Sequence, residues 1–258
     1  MIALSINLNK IALIRNSRDT KVPNIPEHAR MVLDAGADGI TVHPRPDQRH
    51  IRADDCRDLA ALLSHEYAAV EFNIEGNPFA GPRKSEREGV NDYPGFMQLI
   101  RELKPAQCTL VPDGDAQLTS DHGFDLRAQS DALAPVIQEL KQLGVRSSLF
   151  MDPEPEQMLL AAQLGADRIE LYTESYAQAA AQQDAIESVY SAFVETAQAA
   201  NETGLGVNAG HDLNLENLPR FRDLPGLLEV SIGHAFTVDA LRIGIPAAVA
   251  AYQQALEI

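Results

Sequence analysis

Five strand-like segments of this sequence carry or end in a side chain that can transfer protons. An apolar run at residues 205–207 leads into Asn208, Gly210 and His211, and the glycine allows the backbone to turn sharply there. Comparable segments place a histidine or a glutamate at four further positions: His43, Glu75, Glu170 and His234. Imidazole titrates at a pH of about 6.5 and burial raises the pKa of a carboxyl group, so the expected chemistry is general acid–base catalysis.

Elements that could position these groups alternate along the whole chain. Apolar segments typical of buried strands lie at residues 3–7, 39–42, 69–74, 108–111, 147–151, 168–171, 205–207 and 227–232. Helix-like segments separate them, at residues 54–63, 94–103, 128–143, 155–164, 184–203, 215–221 and 235–256. Another helix begins after Asn24 and ends at Gly36, whereas residues 9–22 and 77–91 are predicted to be loops.

Eight strand–helix units favour an α/β fold of the (β/α)₈ TIM-barrel type, in which the carboxyl ends of the strands form the active site. A doubly wound sheet is the alternative, because alternation alone does not close a barrel. No Gly-x-Gly-x-x-Gly motif follows the first strand, which argues against a dinucleotide-binding version. The length of 258 residues suits one barrel domain or two small ones, and we expect residues 1–258 to form a single domain.

Composition excludes several classes of protein. A net charge of −16 argues against general binding to nucleic acid or anionic membranes, and no apolar run could span a bilayer. Cys56 and Cys108 are the only cysteines, which indicates no disulfide framework. The amino terminus resembles a first strand and not a signal peptide, so we expect a cytoplasmic protein.

Basic residues in two loops could bind phosphate. Lys10, Arg15 and Arg18 follow the first strand, whereas Arg45 and His50 follow the second. Arginine binds phosphate through two parallel hydrogen bonds, and these residues oppose the acidic charge of the chain. Phosphate also commonly binds at a helix that begins after strand eight of a barrel, which here means Gly233 and His234.

Each proton-transfer candidate also has a structural interpretation. His43 could be a satisfied histidine at a strand end, and His211 could be a helix-capping or loop histidine. The carboxylates could instead form ion pairs, Glu75 with Arg83 and Glu170 with Arg146 or Arg168.

Taken together, several segments resemble the pyridoxine 5′-phosphate synthase family of vitamin B6 synthesis. They are Ala-Gly-Ala-Asp-Gly-Ile-Thr-Val-His43, Arg45 to His50, Leu110-Val-Pro112, Asn208-Ala-Gly-His211 and Ile232-Gly-His234. The resemblance covers nearly the whole chain. It implies a TIM barrel with extra helices that assembles as an octamer. It also implies a reaction that joins 1-deoxy-D-xylulose 5-phosphate to 3-amino-2-oxopropyl phosphate, giving pyridoxine 5′-phosphate, inorganic phosphate and water without a metal or organic cofactor.

The resemblance implies roles for individual residues. His43 and Glu75 match proton acceptors, His211 matches the proton donor, and Glu170 matches a further glutamate that is important for activity. The contacts to the amino-ketone phosphate match Asn7, Arg18, Gly233 and His234. The contacts to the deoxyxylulose phosphate match Arg45, His50 and Thr119.

The chain departs from the family pattern at several positions. The usual Asn-x-Asp-His of the first strand is Asn7-Leu-Asn9-Lys10, and the last two positions normally contact the sugar phosphate. We expect Lys10 to bind a substrate phosphate or carbonyl oxygen as a cation, without forming a Schiff base. Asp212 stands where glycine is common, beside an expected backbone contact to phosphate. The loop after Glu75 is longer than expected.

Two other functions are compatible with these residues. The histidines and glutamates at the strand ends could bind a divalent metal in a sugar-phosphate isomerase or epimerase, although no strand carries a His-x-His pair. A non-catalytic homologue could have retained only the binding of phosphorylated ligands, and the change at Asn9-Lys10 permits it. The synthase activity on small phosphorylated substrates remains the main prediction.

Overall fold

The protein folds into a closed barrel of eight parallel strands. The computed structural model describes residues 1–18, 20–114 and 116–257. The strands are β1 (Ala3–Asn7), β2 (Gly39–Val42), β3 (Glu71–Gly76), β4 (Gln107–Leu110), β5 (Arg146–Met151), β6 (Arg168–Tyr172), β7 (Gly206–Gly210) and β8 (Leu227–Ile232). They pair in sequence order, and β8 closes the barrel by pairing with β1. The prediction of a TIM barrel is therefore confirmed, and the doubly wound alternative is wrong.

Helices surround the barrel on the outside. They are α1 (Asn9–Asn16), α2 (Ile25–Asp34), α3 (Ala53–Glu66), α4 (Phe96–Leu103), α5 (Leu126–Leu143), α6 (Met158–Leu164), α7 (Glu174–Gln182), α8 (Ile186–Glu202), α9 (Leu218–Phe221), α10 (His234–Ile243) and α11 (Ile245–Leu256). The Asn24 side chain caps α2 by accepting a hydrogen bond from the Glu27 amide (2.9 Å). Gly144 and Gly165 end α5 and α6 in the left-handed conformation, directly before β5 and β6. No helix in the described ranges has the length and apolar character needed to cross a membrane.

The prediction that residues 9–22 form a loop is wrong for α1. Arg15 and Asn16 are polar but buried, so they stand at positions where a helix usually carries apolar residues. The Arg15 guanidinium forms a bidentate ion pair with Asp55 on α3. Polar residues that are paired inside the protein hide the helical pattern from an analysis based on hydrophobicity.

The helices differ from the prediction in two other places. Helix α7 was not predicted, although Tyr176 and Ala179 are buried on its inner face. The carboxyl-terminal helix was predicted as one element but consists of α10 and α11. Gly244 interrupts it with a φ of +84°, and Pro246 lies in the first turn of α11.

The interior of the barrel is polar, whereas its outer face is apolar. Leu4 and Ile6 on β1 are fully buried in the hydrophobic core. Side chains that alternate with the apolar positions contact one another across the interior, as the two-residue period of a strand requires. The Thr109 hydroxyl contacts Asn73 Oδ1 (3.2 Å) and Glu170 Oε2 (3.3 Å). This layer lies directly beneath the carboxyl ends of the strands.

Candidate active site

His43 and Glu75 lie side by side at the carboxyl ends of β2 and β3. His43 Nδ1 is 3.9 Å from Glu75 Oε2, and both side chains are almost completely buried. The Asn7 amide group donates to the same Glu75 oxygen (3.3 Å). The His43 backbone amide donates to Asn9 Oδ1 (2.9 Å), so the residue that replaces the usual aspartate fixes the backbone of this histidine. Four predicted site residues therefore form one connected group.

Burial moves the pKa values of His43 and Glu75 in opposite directions. The pKa of His43 lies well below its usual value, because of burial first and then because of the positive charge of Arg45 and the nearby His211 and Arg49. The pKa of Glu75 is raised well above its usual value by burial and by the nearby carboxylates, of which Glu170 contributes most. His43 is thus neutral at neutral pH, and ionised Glu75 is a stronger base than an ordinary glutamate.

Glu170 lies deeper, inside the barrel on β6. Burial, followed by repulsion from Glu229, raises its pKa to about 8, although the hydrogen bond from Thr109 lowers it. Gly210 on the neighbouring strand β7 makes room for this carboxyl group, because an added Cβ there would lie 2.5 Å from Glu170 Oε1. Gly210, the first strand-end glycine noted in the sequence, therefore has a packing role. It lies within β7, and the positive φ expected of the turn falls on the next residue, His211.

The ion-pair alternatives for the two glutamates do not describe the structure. Arg146 pairs with Glu71, and Arg168 pairs with Glu229 (3.1 Å), so that the predicted ion pair of Glu170 is wrong. Arg83, the alternative partner of Glu75, contacts Glu86 at 3.6 Å.

His211 connects β7 to the loop that follows β4. Its Nε2 lies 2.7 Å from the Thr119 hydroxyl, and its Nδ1 lies 2.6 Å from Asp212 Oδ2. The Asp212 carboxylate accepts a hydrogen bond from the Nδ1–H group of His211, which leaves Nε2 as the atom that can exchange a proton with a ligand. The Asp212 backbone amide, expected to face phosphate, donates to the Thr173 hydroxyl (3.3 Å). His211 has a φ of +95°, which is strained for a residue other than glycine and is typical of functional sites.

The predicted cationic residues differ in their availability. Arg45 is buried, contacts the Asp113 carboxylate and donates to the Gln117 carbonyl (3.1 Å). Arg15 is occupied by Asp55, so the prediction that it supplies free positive charge is wrong. Lys10 is half-buried on α1 and Arg18 is exposed just beyond that helix. Neither of these two side chains forms an ion pair or hydrogen bond within the described part of the chain.

His50 and the start of α10 complete the predicted set. His50 Nδ1 accepts from the Ile51 amide (2.9 Å), and its ring lies edge-on to that of His43, with centroids 6.3 Å apart. Burial, His43 and the nearby arginines hold the His50 pKa well below its usual value. After β8, Gly233 caps α10, and an added Cβ there would lie 3.1 Å from Asn7 Cβ. His234 is the exposed first residue of the helix.

A cavity of about 600 Å³ opens beside His43. The loop after β2 and the long loop after β3 form its walls, and three of its lining residues are arginines: Arg45, Arg49 and Arg83. This volume suits a small organic ligand. Within residues 1–18, 20–114 and 116–257, no group of three or more His, Cys, Asp or Glu side chains could hold a metal ion.

The sequence analysis missed Asp113, which lies between two of the predicted residues. Its Oδ2 contacts the Arg45 guanidinium and lies 3.4 Å from His43 Nε2. The residue is 7% exposed and follows the Leu110-Val-Pro112 segment. A carboxylate directly after a strand, in the same position as the other candidates, was the available signal.

Comparison with known proteins gives one consistent result. The family described as "Pyridoxal phosphate biosynthesis protein PdxJ" matches residues 4–258. Pyridoxine 5′-phosphate synthase of Xanthomonas axonopodis pv. citri is 54% identical over 250 residues, which cover 96% of this chain and 94% of the relative. The enzyme of the same name from Xylella fastidiosa is 50% identical, with 98% and 94% covered. The fold is similar to that of 3-hexulose-6-phosphate synthase from Salmonella typhimurium, at 16% identity, a TM-score of 0.62 and coverage of 99% and 98% of the two chains.

Proposed function

Because the chain belongs to the PdxJ family of pyridoxal phosphate biosynthesis proteins, we propose that it is a pyridoxine 5′-phosphate synthase with its catalytic groups at the barrel mouth. It joins 1-deoxy-D-xylulose 5-phosphate to 3-amino-2-oxopropyl phosphate and releases inorganic phosphate and water. Condensation, dehydration and tautomerisation each move protons, so several acid–base groups must surround one ligand. The observation that carries the proposal is that His43, which lines the cavity, has Glu75 beside it and Glu170 beneath.

The proposed proton transfers follow from the environments of these groups. Neutral His43 and the carboxylate form of Glu75, whose pKa is raised, accept protons from the condensing substrates. His211 returns a proton through Nε2, because its Nδ1 is held by Asp212. Glu170 lies one layer below and exchanges protons near neutral pH, since its pKa is about 8.

The two phosphate groups bind at two different positions around the mouth in this proposal. The amino-ketone phosphate lies at the first turn of α10, where backbone amides and the helix dipole favour an anion, and Asn7 is in contact with Gly233. Gly233, His234, Asn7 and Arg18 form this site. Deoxyxylulose phosphate binds at the cavity, which Arg45 lines. In this proposal His50, Thr119, Asn9 and Asp212 extend the same site beyond the cavity wall.

Lys10 supplies a further cation for the sugar phosphate. It is half-buried on α1, one residue from the Asn9 side chain that contacts His43. We expect an electrostatic contact and no imine, so borohydride reduction in the presence of both substrates should leave Lys10 unmodified by mass spectrometry. A stable adduct at Lys10 would show covalent catalysis instead.

A direct assay tests the reaction. The purified protein is incubated with both phosphates, and pyridoxine 5′-phosphate is detected by mass while inorganic phosphate is measured separately. Both products should form in equal amounts, and neither should form when one substrate is omitted. If neither product appears with both substrates present, the proposed activity is wrong and the non-catalytic alternative holds. The metal-dependent isomerase alternative is not favoured, because relatives 50–54% identical over nearly their full length carry the name of the synthase.

We also propose that residues 1–258 form one catalytic domain and that the domain assembles as an octamer. Pairing of β1 with β8 joins the two ends of the chain in one barrel. Leu13 and Ile14 on α1 and Leu241 and Ile243 on α10 are exposed, and these two helices pack together. An apolar surface of this kind indicates a protein interface. A cytoplasmic location accords with two free, buried cysteines, and fractionation of cells would test it.

A further inference from the structure

We propose that Asp113 is a positioning residue whose carboxylate accepts a hydrogen bond from the Nε2–H group of His43. The unprotonated Nδ1 atom is then the one that takes a proton from the substrate. The inference rests on the proposed function, because it concerns how the base of that reaction is oriented. Asp113 Oδ2 lies 3.4 Å from His43 Nε2, whereas Nδ1 faces Glu75 Oε2 at 3.9 Å. The first distance is longer than an ideal hydrogen bond, and catalytic contacts commonly shorten when substrate binds.

The surroundings of Asp113 fix its position from several elements. Ser120 Oγ donates to Oδ2 (3.1 Å), and the Arg45 guanidinium contacts the same oxygen. The Asp113 backbone carbonyl accepts a hydrogen bond from the Asn77 side chain (2.7 Å) in the loop after β3. With 7% exposure and contacts from the loops after β2 and β3 as well as from its own loop, Asp113 has little freedom to turn away from His43.

These contacts also favour the ionised form of Asp113. Burial raises the pKa of Asp113 above its usual value, and the positive charge of Arg45 and the Ser120 hydrogen bond oppose that rise. A carboxylate at Oδ2 excludes the other neutral form of His43, because an unprotonated Nε2 would then face an acceptor oxygen at 3.4 Å. An aspartate that holds a catalytic histidine in one tautomer has the same role in serine proteases.

Asp113 connects Arg45, which is proposed to bind substrate, to His43, which is proposed to act as the base. The proton leaves the substrate and forms a bond to His43 Nδ1, and the Asp113 charge balances the resulting imidazolium. Arg45 contacts the same carboxylate oxygen and is proposed to bind the deoxyxylulose phosphate. One side chain therefore contacts both the group that binds the anion and the group that accepts the proton.

The variant Asp113→Asn keeps the size and an acceptor oxygen but removes the charge. We expect kcat to fall about 10-fold to 100-fold. Losses of this size follow when the residue that orients a metal-bound histidine is removed from other enzymes. Imidazolium would lose its counter-charge, so the His43 pKa would fall further and the acid limb of kcat/KM would move to lower pH. Asp113→Glu restores the charge and should recover part of kcat. The charged and titratable groups that face His43 are unchanged in these variants: Glu75, Arg45, Arg49, His50 and His211.

Asp121→Asn is the matched control, since it removes the same charge from an exposed position on the same loop. It should leave both kcat and the acid limb close to those of the wild type. A folded Asp113→Asn protein with unchanged kcat and pH profile would overturn the proposal. So would a loss of kcat without movement of the acid limb, because that result indicates a structural role.

Neutron diffraction from crystals of the wild-type protein tests the tautomer without any variant. A deuteron on His43 Nε2 is expected, and a deuteron on Nδ1 with Nε2 bare would also overturn the proposal. This measurement remains valid if Asp113→Asn fails to fold, which circular dichroism would reveal. It also separates the two proposals: absence of wild-type turnover contradicts the synthase function, whereas the position of the deuteron concerns Asp113 alone.

Discussion

His211 is the residue whose surroundings most closely suit a proton donor. Asp212 holds Nδ1 at 2.6 Å, and Nε2 points towards Thr119 on a different loop. Asn keeps much of the size and hydrogen bonding of histidine but carries no transferable proton. The variant His211→Asn should therefore lower kcat by roughly 10²–10⁴-fold. Steady-state assays, with circular dichroism as a check on folding, measure this effect, and an unchanged kcat would assign His211 to structure.

The free energy of unfolding should depend on pH because Glu170 is buried and its pKa is raised. Its pKa is about 8 in the folded protein and about 4.5 in the unfolded chain, so the folded state binds the proton more tightly. Stability is then highest below the unfolded pKa and falls as pH rises towards 8.

The variant Glu170→Gln cannot ionise at this position, and its Tm should fall less than that of the wild type between pH 6 and pH 8. Glu216→Gln, at an exposed position, is the control and should follow the wild type. Scanning calorimetry at the two pH values would measure the difference. Parallel curves for wild type and Glu170→Gln would contradict the raised pKa.

At the scale of elements, the long loop after β3 forms one wall of the cavity. An antiparallel bridge joins Arg83 to Tyr93, with backbone hydrogen bonds of 2.9 and 2.8 Å, and so closes the loop on itself. This closure places Arg83 beside Arg45 and Arg49 around the cavity. The loop therefore has a defined shape and adds a third arginine to the proposed sugar-phosphate site.

Removing the Arg83 charge should weaken binding more than catalysis. We expect Arg83→Gln to raise KM for deoxyxylulose phosphate about 10-fold to 150-fold, with little change in kcat, because one hydrogen bond to a charged group contributes about 1.5–3 kcal/mol. Arg101→Gln on the outer helix α4, where Arg101 pairs with Glu139, should change neither constant. Equal constants for Arg83→Gln and wild type would show that the loop does not contact this substrate.

The strands were predictable from the sequence, whereas three helical features were not. Short, largely apolar segments, several of them preceded by a glycine that ends a helix, predicted all eight strands, since strands covered by helices need apolar residues on the face that packs against those helices. Helix α1 was missed because Arg15 and Asn16 are buried with partners on distant segments. No local pattern reveals such pairs. The position of Asp113 after a strand was visible in the sequence, but its contacts with His43 and Arg45 in the loop after β2 were not.

At the scale of the whole molecule, an acidic protein must bind two anions. The net charge of −16 repels phosphates at long range, so binding depends on cations placed at the mouth. Only part of this placement followed from the sequence. Arg45 lies at the cavity as expected, whereas Arg15, from the same basic group as Lys10, is used inside the protein to hold α1 against α3.

The exposed apolar residues of α1 and α10 make the proposed octamer testable. Leu241 is 77% exposed and Leu13 is 45% exposed, and a charge at either position would be buried without a partner in an interface. The variants Leu241→Glu and Leu13→Glu should therefore sediment as smaller species than the wild type in analytical ultracentrifugation. Leu159→Glu on α6, where Leu159 is 57% exposed, carries the same change at another surface and should remain assembled. A monomeric wild type would contradict the octamer, and an intact octamer in both variants would place its interfaces on a different surface.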